Sequence, residues 1–174
     1  MDPRIALMKE HIRDIPDFPK PGILFRDITP LLASPKAFGA AIDLLVERYQ
    51  DKKVDHIVAV ESRGFIFGGP LALRLGIALT IVRKPGKLPF KTHEVSYELE
   101  YGTSTLQIHQ DALKKGARVV ILDDLLATGG TAAATCKLAE KLGAKVVECA
   151  FAIELEALKG RENIPAPSYA MLVL

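Results

Sequence analysis

Residues 119–131 read VVILDDLLATGGT, and few folds can use that order of residue types. A continuously apolar run of this kind needs cover on both faces, which the middle of a parallel sheet supplies. Two adjacent carboxylates, Asp123 and Asp124, end the run, and the small residues Ala127, Thr128, Gly129, Gly130 and Thr131 follow before a helical pattern closed by Gly143. Three more runs share the apolar character: HIVAV at 56–60, IALTIVR at 77–83 and AKVVECAFAIEL at 144–155. Helical spacing over 65–75 and 131–142 alternates with them. Strands of this type alternating with helices predict an α/β fold with a central, mainly parallel sheet flanked by helices.

The remaining segments are less regular. Ile5, Met8, His11 and Ile12 sit at helical spacing and predict a surface helix over 4–14. Residues 15–27, IPDFPKPGILFRD, carry Pro16, Pro19, Pro21 and Gly22, which exclude a helix. Ser34 before Pro35 is a helix start, and the helix should run to about Tyr49 and bury Phe38, Ile42, Leu45 and Val46. From Lys84 to Glu94 no period survives. The stretch Pro85–Tyr101 is long for a loop in a compact domain, which suggests a lid hinged at Gly86 and Gly102. VSYELEY (95–101) and STLQIHQ (103–109) alternate well enough to pair as strands around Gly102. Residues beyond Pro165 carry no motif. With 174 residues and no visible linker, a single domain spanning 1–174 is expected.

Composition narrows the partners. Net charge is +2 with the two signs interleaved, so no basic stripe marks a nucleic-acid surface, although a small polyanion needs only a few converging groups. Cys136 and Cys149 form neither a metal-ligand pair nor a disulfide framework and are expected to be buried thiols. His11, His56, His93 and His109 are scattered without the spacing of a zinc site. The N-terminal stretch lacks the apolar centre of a secretory signal. The most apolar stretch, 64–82, is broken by Pro70, Arg74 and Gly76, so no membrane span and a cytoplasmic location are expected.

The 119–131 segment carries chemistry as well as fold. Open α/β sheets bind ligands at the carboxyl ends of their strands. Glycines there let backbone amides approach an anion, and a helix N-terminus adds positive partial charge. No lysine follows the glycines, so the segment is not the nucleotide-hydrolase loop, and it lacks the spaced glycines of a dinucleotide fingerprint. Phosphate donors beside two carboxylates suit a sugar phosphate, with hydroxyls to the acids and phosphate to the loop. Ser62 and Arg63 end another strand, where the planar guanidinium matches paired phosphate oxygens. Arg83, Lys84 and Lys87 cluster after the strand over 77–83.

The strand, acid pair and TGGT loop resemble the phosphoribosyl-pyrophosphate signature of the type I phosphoribosyltransferases. Residues 15–32, VESRGFIFGGPLA (60–72), VRKPGKLP (82–89) and SYELEYG (96–102) resemble the adenine-using members, and the likeness runs from about Ile12 to Gly160. The resemblance implies the type I phosphoribosyltransferase fold, with a small N-terminal base-binding hood over about 1–34 and a flexible catalytic loop over about 84–102. It implies transfer of phosphoribosyl from phosphoribosyl pyrophosphate to adenine, with Mg²⁺ as cofactor and a homodimer as assembly. Asp123 and Asp124 would then hold the ribose hydroxyls, directly or through magnesium and water, with no direct protein ligand to the metal. Ala127, Thr128, Gly129, Gly130 and Thr131 would grip the 5′-phosphate. Ser62, Arg63, Lys84 and Lys87 would face the pyrophosphate, and Arg83 would act in its own or a neighbouring subunit's site.

In the same resemblance Glu100, with Tyr101 beside it, handles the purine N7 proton. Phe25 stacks on one side of the base and Leu125 on the other, while the Leu24 carbonyl and Arg26 amide read the amine and N1. A 6-oxo purine reverses donor and acceptor at those two atoms. Two alternatives stay open at this stage: the same reaction on a 6-oxopurine, and a non-enzymatic regulator that senses the donor.

Overall fold

The computed structural model describes residues 2–99 and 102–174, so Glu100 and Tyr101 lie outside the described residues. The chain divides into two compact units, Met1–Glu47 and Arg48–Leu174. In the first, α1 (Pro3–Glu10) starts at Asp2, whose carboxylate accepts the Arg4 amide at 2.8 Å. It stops well short of residue 14. Pro16 pushes the residue before it into extended backbone, and β1 (Arg13–Pro16) instead pairs antiparallel with β2 (Leu24–Asp27). Phe18 and Phe25 meet edge to face with centroids 5.1 Å apart. Asp27 accepts both the Thr29 amide and hydroxyl at 2.8 Å, which satisfies the first amide of a short α2 (Thr29–Ala33) that the sequence pattern did not show. The serine start of α3 (Pro35–Tyr49) is as expected, with Ser34 Oγ accepting the Ala37 amide at 3.2 Å. Of the four residues expected inside, Ile42 and Leu45 are buried, whereas Phe38 and Val46 are half-buried.

The second unit runs β3 (His56–Val60), α4 (Gly64–Leu75), β4 (Ala78–Val82), β5 (Thr92–Leu99), β6 (Gly102–His109), β7 (Arg118–Leu126), α5 (Gly130–Lys141), β8 (Lys145–Glu154) and β9 (Ser168–Val173). Five strands form one sheet in the order β4-β3-β7-β8-β9, every pair parallel. Parallel pairing gathers the strands' carboxyl ends on one edge, which is where β7 delivers its acids. Val119 to Leu122 are fully buried, as an apolar central strand requires. Ala132, Cys136, Leu138 and Ala139 of α5 share one core with Val119, Ile121, Cys149 and Phe151. The two thiols are free and buried, with sulfurs 3.5 Å apart.

Two expectations need correction. The tail is not inert: Ser168–Val173 adds a fifth strand beside β8, which burying only Met171 and Leu172 did not make visible as a period. The presumed long loop is mostly ordered ribbon. β5 begins at Thr92 and pairs with β6 from Thr92↔His109 to Leu99↔Gly102, so among the described residues of that stretch only 84–91 are irregular. Among the described residues no helix is long and apolar enough to cross a membrane.

β8 also carries a buried acid far from the carboxyl edge. Glu148 accepts Arg48 Nε and Nη2, both at 2.7 Å, and the Tyr49 hydroxyl at 2.6 Å, while the Arg48 guanidinium lies 3.7 Å from the centroid of the Tyr169 ring. Burial alone would raise the Glu148 carboxyl, but the bonds from Arg48 and Tyr49 outweigh it and hold the group below the ordinary carboxylate range. A depressed native pKa stabilises the fold above the unfolded value, and that stability fades as pH falls through the native one. Glu148→Gln should therefore cost about 1–3 kcal/mol at neutral pH. In urea titrations the deficit should shrink as pH falls below about 4; a deficit independent of pH would refute the ionic account.

Candidate active site

At the carboxyl end of β7 a cavity of 450 Å³ is lined by Asp123, Asp124, Leu125, Ala127 and Thr131, together with Glu61, Ser62, Arg63 and Lys84. A smaller hollow beside it is lined by Asp123, Leu125, Thr128, Gly129 and Gly130 and shares Ala127 and Thr131 with the first. The acids and the loop therefore face common space. Arg63 Nε donates to Asp124, and the Asp124 amide donates to Asp123 Oδ1 at 2.9 Å. Burial, reinforced by the neighbouring Asp124 charge, pushes the Asp123 carboxyl well above the ordinary range. Arg63 is thus ion-paired with Asp124, while Asp123 accepts a backbone amide.

The turn after β3 reaches β7 because Gly64 has no side chain. A Cβ there would stand 2.6 Å from the Leu122 carbonyl oxygen and 3.2 Å from the Asp123 Cα. The peptide joining Glu61 to Ser62 is cis. Glu61 accepts the Lys84 amide at 2.8 Å and Arg83 Nε and Nη2 at 3.2 and 3.3 Å. Burial would raise its carboxyl, but these donors hold it below the usual range. Arg83 is thus turned onto Glu61 of its own chain and onto the Lys87 carbonyl at 3.3 Å, and neither Arg83 nor Lys87 lines either hollow.

The loop from Ala127 to Thr131 enters α5 through Gly129, which has φ +85° and so occupies the region glycine tolerates best. No side chain caps the helix there, so its first amides stay available to an outside acceptor. The Thr131 hydroxyl meets the Tyr97 hydroxyl at 3.0 Å, and Tyr97, Ser104 and Leu106 line the main cavity from the β5–β6 ribbon. The sequence reading missed all three. Their strand alternation was visible, but not the face it turns toward the cavity.

Of the residues expected to hold a base, Leu125 lines both hollows. Leu24, Phe25 and Arg26 belong to β2 in the first unit, where Arg26 Nη1 is paired with Asp14. Among the described residues no group of three or more His, Cys, Asp or Glu comes together to hold a metal ion.

A parallel sheet with acids and an uncapped glycine loop at its carboxyl edge defines an α/β protein with an anion-binding loop at the ligand-binding end of its strands. A family model for the phosphoribosyl transferase domain matches residues 27–171. The adenine phosphoribosyltransferase of Syntrophotalea carbinolica is 60% identical over 158 residues, 91% of this chain and 92% of that protein. The crystal structure of adenine phosphoribosyltransferase from Rhodothermus marinus superposes with a TM-score of 0.94 at 48% identity, covering 100% of both chains. The enzyme from Saccharomyces cerevisiae, solved with adenine and an imino-altritol bisphosphate, gives 0.94 at 41% identity over 99% of this chain and 100% of that one. The chain belongs to the phosphoribosyltransferase family, within its adenine phosphoribosyltransferase branch.

The Gly64 contact generates a prediction. Gly64→Ala should force the turn away from β7, at a cost of about 1–3 kcal/mol in stability. Thermal melting checks the stability, and steady-state assays of the transferase reaction should show lost turnover as well; a variant with unchanged melting and turnover would contradict the close approach.

Proposed function

We propose that the protein transfers the 5-phosphoribosyl group from phosphoribosyl pyrophosphate to adenine, giving AMP and pyrophosphate. The observation that carries this reading is the pair of adjoining hollows at the end of β7, one lined by both acids and Arg63 and the other by Asp123 and the uncapped glycine loop, with Ala127 and Thr131 in both. The adenine-specific names of relatives above half identity favour the base assignment.

In this reading the loop amides and the Thr128 and Thr131 hydroxyls hold the 5′-phosphate, and Asp123 and Asp124 face the ribose hydroxyls. Ser62, Arg63 and Lys84 receive the pyrophosphate, with Lys87 and Arg83 approaching from the segment after β4. The bond from the anomeric carbon to pyrophosphate breaks as the bond to the purine forms, and positive groups around the leaving oxygens offset their growing charge. Glu100 takes the purine proton, with Tyr101 beside it. The base lies between Phe25 and Leu125 and is read by the backbone of Leu24 and Arg26. The 1–34 hood, and a lid over 84–102 built from the irregular 84–91 segment and the β5 strand that follows it, then belong with the core to one catalytic domain, and the lid keeps water from the activated sugar.

The acids also suit magnesium, a hard cation that favours carboxylate and phosphate oxygens. Asp123 and Asp124 would help hold the metal beside the donor's own oxygens, directly or through water, while Arg63 stays paired with Asp124. The metal would neutralise charge on the diphosphate. The two buried free thiols are compatible with a reducing, cytoplasmic setting. By the family resemblance the working form is a homodimer.

With adenine, phosphoribosyl pyrophosphate and magnesium, AMP and pyrophosphate should appear in equal amounts. Hypoxanthine or guanine should react at least about 30-fold less efficiently, because two mismatched buried polar groups would be left unpaired. A preference for the 6-oxo bases would overturn the base assignment. Glu100→Ala should lower turnover about 100-fold or more while donor binding survives, and unchanged turnover would remove Glu100 from the mechanism.

A further inference from the structure

The glycine loop has a back as well as a front. Behind it lies Gly160–Asn163, a 3-10 turn that follows β8. Asn163 Nδ2 donates to the Thr128 carbonyl at 2.8 Å. The two backbones touch: a Cβ on Gly160 would stand 2.2 Å from the Ala127 oxygen, and one on Gly129 would stand 2.3 Å from the Gly160 oxygen. The turn is itself pinned. Arg161 Nε donates to both oxygens of the buried Glu154 at 2.7 and 2.8 Å, Nη2 joins the same carboxylate, and Nη1 donates to the Ser168 carbonyl at 3.0 Å. Neither Asn163 nor Arg161 lines the two hollows at the end of β7.

The Thr128 carbonyl and the Gly129 N–H belong to one peptide, which is planar and trans, so they point in opposite directions. With the oxygen held on Asn163, the N–H faces away from the 160–163 turn. The reverse orientation would put a carbonyl oxygen where an anion is to bind and withdraw a donor from it. Gly129 offers little steric resistance to such a flip, since it has access to both halves of φ space. The restraint has to come from outside the loop, and Asn163 supplies a hydrogen bond at that oxygen.

We propose that Asn163 is a positioning residue for donor binding: its amide holds the Thr128–Gly129 peptide so that the Gly129 N–H is offered to the 5′-phosphate. The inference rests on reading residues 127–131 as the 5′-phosphate cradle. It adds a second layer to that cradle, in which Arg161 and Glu154 fix the turn that carries Asn163.

The test measures ribose 5-phosphate and pyrophosphate binding to the full chain by calorimetry, for wild type, Asn163→Ala, Asn163→Gln and Thr131→Ala. Alanine removes the donor without adding charge, and glutamine keeps it. Asn163→Ala should weaken ribose 5-phosphate about 3- to 10-fold and leave pyrophosphate within about twofold. Its thermal midpoint should hold, Asn163→Gln should recover part of the loss, and in assays the donor KM should rise with kcat little changed. Equal weakening of both ligands would mean general loosening and would overturn the proposal. Unchanged ribose 5-phosphate binding in Asn163→Ala, with Thr131→Ala impaired, would overturn it while sparing the cradle reading. If neither variant affects ribose 5-phosphate, the cradle reading fails and the proposal falls with it.

Discussion

Two carboxylates at the end of one buried strand repel each other, and the geometry of the site follows from how that repulsion is managed. Arg63 is brought against Asp124, and the Asp124 amide is turned onto Asp123. That pairing depends on the turn after β3 lying directly on the β7 backbone, a contact that only a residue without a side chain allows at Gly64. Parallel pairing of β3 with β7, with Ala59 opposite Leu122, brings the end of β3 level with the acids of β7, so an arginine from the turn after one strand can serve an acid of the next. Asp124 is paired with a cation, and Asp123, buried and beside that charge, is held well above the ordinary carboxylate range.

The loop beyond those acids separates its polar groups by direction. Its Thr128 carbonyl is taken up by a side chain behind it, and the N-terminal amides of α5 have no side-chain cap in front. An anion site needs both conditions, because a stray carbonyl repels what the amides attract. The same economy appears around Glu61, which gathers Arg83 and the Lys84 amide at the edge of the cavity. Cationic groups are therefore held near the site by acids, and a polyanion entering there competes for them.

Much of this was legible in the sequence because the core elements obey single, local periods. The four apolar runs were strands, Ser34 capped its helix, and the DD and TGGT residues converged as their spacing implied. The losses have physical causes. The helix expected over 4–14 ends at Glu10 because Arg13–Pro16 pair with β2 instead, and Pro16 disfavours helical backbone at Ile15. β9 escaped because a short edge strand buries too few residues to show alternation. Tyr97 and Asn163 were invisible for a different reason: each acts through a contact 34 or 35 residues away, with Thr131 and Thr128 respectively, and no local pattern encodes that pairing.

The central claim is that the amides at the start of α5 and the acids at the end of β7 serve one bound sugar phosphate. Amide resonances of Gly129, Gly130 and Thr131, followed by two-dimensional NMR during titration with ribose 5-phosphate, test it most directly. The account expects those three signals to move together and saturably, along with that of Asp124. Saturable binding that leaves all of them in place and shifts resonances elsewhere would contradict it.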